Sequence, residues 1–314
     1  MKPRLLALDW GSSRLRAHLL GDGGALLDER SSADGASTLS GGAPAFEAAL
    51  RAIAGDWLDA HPGPPVLASG MVGSAHGWRE ARYADCPVAL DALHEQAVLV
   101  DGARGLRVRI VPGLACQPAA EAPDVMRGEE TQLAGLLDAR PELARARIEV
   151  VMPGTHSKWV HLAGGHVQGF ATRMTGEVFA LLRTQSVLAR LMTEAAPGAF
   201  AADAFDAGVA AARRHGGDLL HLLFGVRTQG LFDRLPGSAL ADHLSGLLIG
   251  SEVAAGVANL DAAVPLVLVG DAALLARYRR ALAAFGRDAV DGGEHLAARG
   301  LWRIAQRAGW LGTA

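Results

Sequence analysis

The chain has 314 residues, 50% of them hydrophobic and 20% charged, enough to bury one large core or two medium ones, and two domains are expected because single cores stop growing near this length. A formal net charge of -3 and a sequence pI near 6.4 exclude the basic excess of a nucleic-acid binder, while leaving room for a local positive pocket that takes a small anion. Two cysteines outside any CxxC, Cys86 and Cys116, exclude a disulfide scaffold, and the lack of a long apolar run predicts no membrane span and a cytoplasmic protein.

In chain order, the apolar run from Arg4 ends in Asp9-Trp10-Gly11-Ser12-Ser13. Alternation over 14–20, the turn signal Asp22-Gly23-Gly24 and a return over 25–30 predict three antiparallel strands. Phe46, Leu50, Ile53, Trp57 and Leu58 recur at helical spacing over 43–60, and His61-Pro62-Gly63-Pro64-Pro65 stops that helix. A short strand over 66–69 delivers the chain into Gly70-Met71-Val72-Gly73, and another is expected over 107–111. The stretch 117–124, with two prolines, reads as the crossing between domains, 1–120 and 121–314, with the last helix able to pack back onto the first. A helix over 129–137, a strand over 148–152, a hairpin over 158–172 and a mostly helical region over 175–260 follow. A buried strand over 264–269 and helices over 272–285 and 294–308 complete the chain.

Twice a strand runs into a Gly-Ser/Thr turn followed by a hairpin, at 9–16 and at 154–159. Neither turn opens a helix as a dinucleotide fold requires, and no GxxxxGK[ST] occurs. The duplicated plan suggests two related halves facing a cleft. No HExxH, paired Cys/His spacing or GxSxG supports a zinc enzyme or a serine hydrolase.

Five constellations carry chemistry. In Asp9-Trp10-Gly11-Ser12-Ser13-Arg14-Leu15-Arg16, Gly11 admits close backbone approach and Ser12 and Ser13 supply donors for phosphate oxygens. Asp9 suits a water-mediated hold on Mg²⁺, which dehydrates reluctantly, and Arg14 or Arg16 can neutralise a phosphate or a carboxylate. Gly154-Thr155-His156-Ser157 can form an N–H nest for an anion. Lys158 follows it, and with Lys2 makes up all the lysine in an arginine-rich chain. Arg127-Gly128-Glu129-Glu130 puts two carboxylates at a helix start, where negative charge is favoured in any case. One of them can take the proton of an attacking hydroxyl, and Arg127 can fork a substrate carboxylate. The loop 69–78, with Gly73 and Trp78, suits a sugar-binding wall, or Trp78 anchors the core. At Val269-Gly270-Asp271 an adenosine could pack over the glycine.

These segments, together with Val111-Pro112-Gly113-Leu114, Met174-Thr175-Gly176-Glu177 and Leu244-Ser245-Gly246-Leu247-Leu248-Ile249-Gly250-Ser251-Glu252, resemble the 2-dehydro-3-deoxygalactonokinase family over nearly the whole chain. The resemblance implies an α/β, two-domain, actin-like or hexokinase-like (ribonuclease-H-like) fold. It implies ATP and Mg²⁺ as cofactors, an interdomain active site that closes on its substrate, and phosphorylation of 2-dehydro-3-deoxy-D-galactonate to its 6-phosphate in galactonate catabolism. It assigns Asp9, Gly11, Ser12 and Ser13 to the first phosphate motif, Gly154, Thr155 and His156 to the second, and Gly270 to adenosine. By the same resemblance Glu129 is the base, with Glu130 in reserve. The candidate substrate set is Arg14, Gly73, Trp78, Arg127, Lys158 and Glu177, with Arg14, Arg127 or Lys158 pairing with the substrate carboxylate. The partner is a small-molecule sugar acid, with no nucleic acid and no membrane, and a homo-oligomer is compatible with the sequence. The rivals are a kinase for another sugar acid, a binding protein without turnover, and a phosphatase or ATPase without an acceptor.

Overall fold

The computed structural model describes residues 2–119, 122–216, 218–258 and 260–311. In chain order its elements are β1 (Leu5–Trp10), β2 (Leu15–Leu20), β3 (Leu26–Ser32), α1 (Ala43–Ala60), β4 (Val66–Ser69), β5 (Ala84–Asp85), β6 (Val88–Ala89), β7 (Val98–Asp101), β8 (Arg107–Ile110), β9 (Leu114–Cys116), β10 (Asp124–Met126) and α2 (Glu129–Ala139). Then come β11 (Arg147–Met152), β12 (Ser157–Ala163), β13 (His166–Arg173), α3 (Thr175–Gln185), α4 (Ala202–Arg214), α5 (Leu219–Leu231), α6 (Leu240–Val257), β14 (Leu266–Leu268), α7 (Ala272–Ala284), β15 (Ala289–Asp291) and α8 (Leu296–Arg307).

Two compact units emerge. One comprises Met1–Arg147, His161–Phe170 and Gly292–Ala314, the other Ile148–Val160 and Ala171–Asp291. The division expected at 120/121 falls on residues outside those described. α2, read from sequence as opening the second domain, lies in the first unit, and α8 belongs there too. The reason for α2 is contact: it and α8 cross with backbones touching. A Cβ on Gly300 would sit 1.8 Å from the Thr131 carbonyl oxygen, and one on Gly135 1.9 Å from that of Leu296, so only glycine fits at either point.

In the first unit the sheet runs β3-β2-β1-β4-β8-β7. β1 pairs antiparallel with β2 and parallel with β4, and β4 is parallel to β8. A second six-stranded sheet, β6-β13-β12-β11-β14-β15, repeats that order over its last five strands, with β11 parallel to β14 and β14 parallel to β15. The duplication read from two glycine turns is thus a duplication of strand order. Near-continuous burial explains the apolar runs: β1, β4, β11 and β14 are covered on both faces. The α1 stripe Phe46, Leu50, Ile53 and Trp57 packs into the first core. In the second unit Trp159, Phe205, Ile249, Leu268 and Tyr278 make one cluster, and Val226, Leu240, Leu244 and Leu247 a helical one. Both cysteines are free. Among the described residues no helix is long and apolar enough to cross a membrane.

Candidate active site

In the first unit three glycine-bearing segments converge. β1 delivers Asp9 to a tight turn closed by the Gly11 N–H donating to the Arg14 carbonyl (2.9 Å). Asp9 lies opposite Arg16 on β2 and Ser69 on β4. Arg16 Nη1 donates to Asp9 Oδ2 at 3.1 Å. Ser12, Ser13 and Arg14 are exposed at the turn. Gly70 follows β4 with φ 93°, and a Cβ there would lie 2.7 Å from the Trp10 carbonyl oxygen. Gly128 precedes α2 with φ 109°, its Cβ direction 3.4 Å from the Gly70 Cα. Both conformations are left-handed, where a side chain is strained. The first turn, the end of β4 and the start of α2 therefore share one spot.

The two glutamates of α2 differ in setting. Glu130 is fully buried; its Oε2 accepts the Gly128 N–H (2.6 Å) and its Oε1 the Thr131 hydroxyl (2.9 Å). Burial first, then the neighbouring Glu129 charge, raises its pKa to about 8. Glu129 is half-buried and its Oε2 accepts the Arg127 N–H (3.0 Å). Helix-start stabilisation thus falls to both, and the buried one is held neutral near pH 7.

Arg127 is the cation of this cluster. Its Nη2 donates to the Ala81 carbonyl (2.7 Å) and its guanidinium lies over the Tyr83 ring (4.3 Å). Its Nε and Nη1 are buried with no hydrogen-bond partner among the described residues. A Cβ on Gly73 would come 3.0 Å from Nη1, so Gly73 lies directly against the guanidinium. Trp78 goes elsewhere: it is buried in the core, edge-on to Trp10 (6.1 Å) and stacked on Phe46 (6.2 Å). Its indole is an anchor for the loop, not a sugar wall.

In the second unit the turn 153–157 carries Thr155 and His156 exposed at its apex and buries Ser157 and Lys158. The start of α3 docks on it. The Glu177 N–H donates to the Thr155 carbonyl (3.0 Å), and His156 Nε2 and Glu177 Oε2 are 2.5 Å apart. A Cβ on Gly176 would meet the Gly154 carbonyl at 2.4 Å. Glu177, expected in the substrate set, therefore belongs to this turn. Lys158 is buried on β12 and its Nζ donates to Thr172 Oγ1 (2.8 Å). Gly270, at the end of β14, backs onto Pro153, whose oxygen its Cβ would approach to 3.4 Å. Asp271 caps α7, its Oδ1 accepting the N–H groups of Ala273 (3.0 Å) and Leu274 (3.3 Å).

Beside this turn lies a cavity of about 280 Å³, lined among others by Gly154, Thr175, Gly176, Ser245, Arg277 and Tyr278. That is near the small end of ligand pockets. Arg277 is held at its edge by Asp242 (2.7 Å) and lies over Phe200 (4.4 Å).

Sequence reasoning missed Ser69, whose hydroxyl beside Asp9 is buried without a partner among the described residues, and Arg173, whose Nη1 is likewise unpartnered among them and which lies over Trp159 (5.2 Å). It also gave no role to Glu252, which closes the family-like segment 244–252 and is the lone charge in the apolar stretch 244–257. Among the described residues the trio of converging metal-ligating side chains is His18, Glu29 and His295. The His18–Glu29 and His295–Glu29 separations are 3.6 and 3.5 Å, and Glu29 and His295 are exposed. This trio does not include Asp9.

The sequence profile of the 2-keto-3-deoxy-galactonokinase family matches residues 9–304. The chain is 39% identical over 312 residues to the Rhizobium meliloti protein named Probable 2-dehydro-3-deoxygalactonokinase DgoK1, covering 95% of this chain and 97% of that one. It is 38% identical over 288 residues to the 2-dehydro-3-deoxygalactonokinase of Escherichia coli, covering 92% of each. A crystal structure assigned as a 2-dehydro-3-deoxygalactonokinase protein from Sinorhizobium meliloti superposes with a TM-score of 0.83 at 36% identity, over 98% of this chain and 99% of that one.

Proposed function

The chain belongs to the 2-keto-3-deoxy-galactonokinase family, and on that footing we propose how its residues phosphorylate 2-dehydro-3-deoxygalactonate with ATP. The fold is the two-domain α/β fold of the sugar-kinase and actin superfamily, and the activity is that of a sugar-acid kinase.

The acceptor is held by the first unit. Arg127 carries this reading: two buried guanidinium nitrogens lack partners, one residue before the Gly128-Glu129 step. An unmet buried donor is costly, the more so on a cation, and a substrate carboxylate removes that cost with charge-assisted hydrogen bonds. Because both nitrogens lie beneath the surface, binding draws the side chain out from between Tyr83 and Gly73. Arg14, exposed on the first turn, is a second cation for the same acid.

Glu129, half-buried where Glu130 is sealed, orients the terminal hydroxyl and accepts its proton. The hydroxyl oxygen then bonds to the γ-phosphorus as the bond to the β–γ bridging oxygen breaks, giving ADP and the 6-phosphate. Gly11, Ser12 and Ser13 present N–H and hydroxyl donors to the transferring phosphoryl group.

The nucleotide is held by the second unit. Gly154, Thr155 and His156 face phosphate oxygens, Glu177 keeps the His156 ring in place, and adenosine enters the cavity lined by Gly154, Thr175, Arg277 and Tyr278. Asp9, a strand-end carboxylate with only its Oδ2 paired to Arg16, would hold Mg²⁺ through water, as suits an ion that dehydrates reluctantly. When bound, it neutralises charge on the phosphates.

The experiment is the acceptor dependence of an Arg127→Ala variant. Its KM for the sugar acid is expected to rise about a hundredfold, as for a lost charge-assisted contact of ~3 kcal/mol, with KM for ATP unchanged. An unchanged sugar-acid KM removes Arg127 from the substrate site.

A further inference from the structure

A buried carboxyl group in the second unit gathers four hydrogen-bond donors. Glu252 lies on α6 and is 5% exposed. Its Oε1 accepts the Ser157 hydroxyl (2.6 Å) and the Trp159 indole N–H (2.8 Å). Its Oε2 accepts the Tyr278 hydroxyl (2.7 Å) and the Thr175 hydroxyl. None of these four donors is a cation. A carboxyl group out of water is unfavourable unless its lone pairs are met, and here two pairs of donors meet them.

The donors come from separate segments. Ser157 closes the turn 153–157 and starts β12; Trp159 lies two residues on. Thr175 starts α3, next to the Gly176 that backs onto Gly154. Tyr278 is on α7, after the Gly270 turn. Thr175, Tyr278 and Gly154 all line the cavity. Burial first, then Glu252 itself, raises the Tyr278 pKa above its ordinary value, so the phenol stays protonated and remains a donor. Trp159 is seated by the same helix: a Cβ on Gly256 would run into its ring at 2.4 Å.

We infer that Glu252 is a positioning residue for the nucleotide, fixing the turn 153–157 against the start of α3 and the middle of α7. The inference rests on ATP occupying this cavity. The Trp159 N–H can only donate, so a glutamine must keep its carbonyl on the Ser157–Trp159 side and turn its N–H₂ to the Thr175 and Tyr278 hydroxyls. Those hydroxyls then have to accept and send their own protons elsewhere, which loosens the α3–α7 side. Phosphate N–H donors act through fixed geometry, so the loss appears in nucleotide use.

The test is steady-state kinetics of Glu252→Gln and Tyr278→Phe, each substrate varied in turn, with thermal melts alongside. Glu252→Gln is expected to raise KM for ATP at least about tenfold with the sugar-acid KM within about twofold. Tyr278→Phe, which removes one donor and keeps the ring, moves the same constant in the same direction by less, and it decides the matter if Glu252→Gln fails to fold. An unchanged KM for ATP, or equal changes in both KM values, overturns the inference. ADP titration of Ser245→Trp separates it from the placement of ATP on which it rests. If filling the cavity leaves ADP affinity unchanged, the nucleotide lies elsewhere. If affinity is lost there while Glu252→Gln keeps its KM for ATP, only the positioning role fails.

Discussion

Glu129 and Glu130 are adjacent in sequence but occupy different dielectric settings, and the difference predicts different variants. Glu129→Gln removes the proton acceptor and keeps the shape, so kcat is expected to fall by about 10²–10⁴ with little change in either KM. Glu130→Gln replaces a group that is already mostly neutral at pH 7 and should keep most of the activity. Its effect is on stability. The folded pKa of Glu130 is raised from 4.5 to about 8, so between those values the folded state holds a proton the unfolded chain has released. That contribution is full below the unfolded pKa and lost as pH rises through the folded one. Glu130→Gln should therefore melt with wild type at about pH 4 and increasingly above it up to about pH 9, in melts taken across that range. A pH-independent difference contradicts the burial argument.

Among the helices and strands, the α2–α8 crossing carries Glu129, the proposed base. Thr131, whose carbonyl meets Gly300, follows Glu130 directly. Gly300→Ala must push the helices apart, at a cost of about 3 kcal/mol, and should lower both the melting temperature and kcat. An alanine variant with native stability would mean the crossing is looser than described. The main strands and helices were legible because apolar runs and 3.6-residue spacing report burial directly, as in β1 and α1. The strands β5, β6, β9 and β10 were not, being two or three residues long and defined by pairing partners far along the chain. The same limit explains the side chains. Trp78 follows a glycine loop whether it faces a sugar or the core, and only the rings of Trp10 and Phe46 decide it. Glu252 gathers donors from 157, 159, 175 and 278, a set no local pattern reveals. Conversely, the Gly128 turn left a mark in the sequence because its left-handed backbone, at φ 109°, calls for glycine.

Across the molecule, one strand order occurs twice and each copy ends its first strand in a glycine turn. The first turn adjoins carboxylates and an arginine, the second a cavity, so the two ligands should leave separate footprints. In hydrogen exchange, a non-hydrolysable ATP analogue is expected to slow exchange around 153–157, 175–183 and 270–278. The sugar acid should slow it around 9–14, 70–73 and 127–131. Reversed footprints would exchange the roles of the units.

Everything proposed for these residues depends on transfer of phosphate from ATP to this particular acid. That transfer is read from ADP release by the purified protein with Mg²⁺ and ATP, offered 2-dehydro-3-deoxygalactonate, its gluconate epimer, galactonate, glucose, glycerol or no acceptor. We expect turnover strongly favouring 2-dehydro-3-deoxygalactonate and almost none without an acceptor. Preference for another acceptor, or equal ADP release in the blank, would show that the protein does different chemistry.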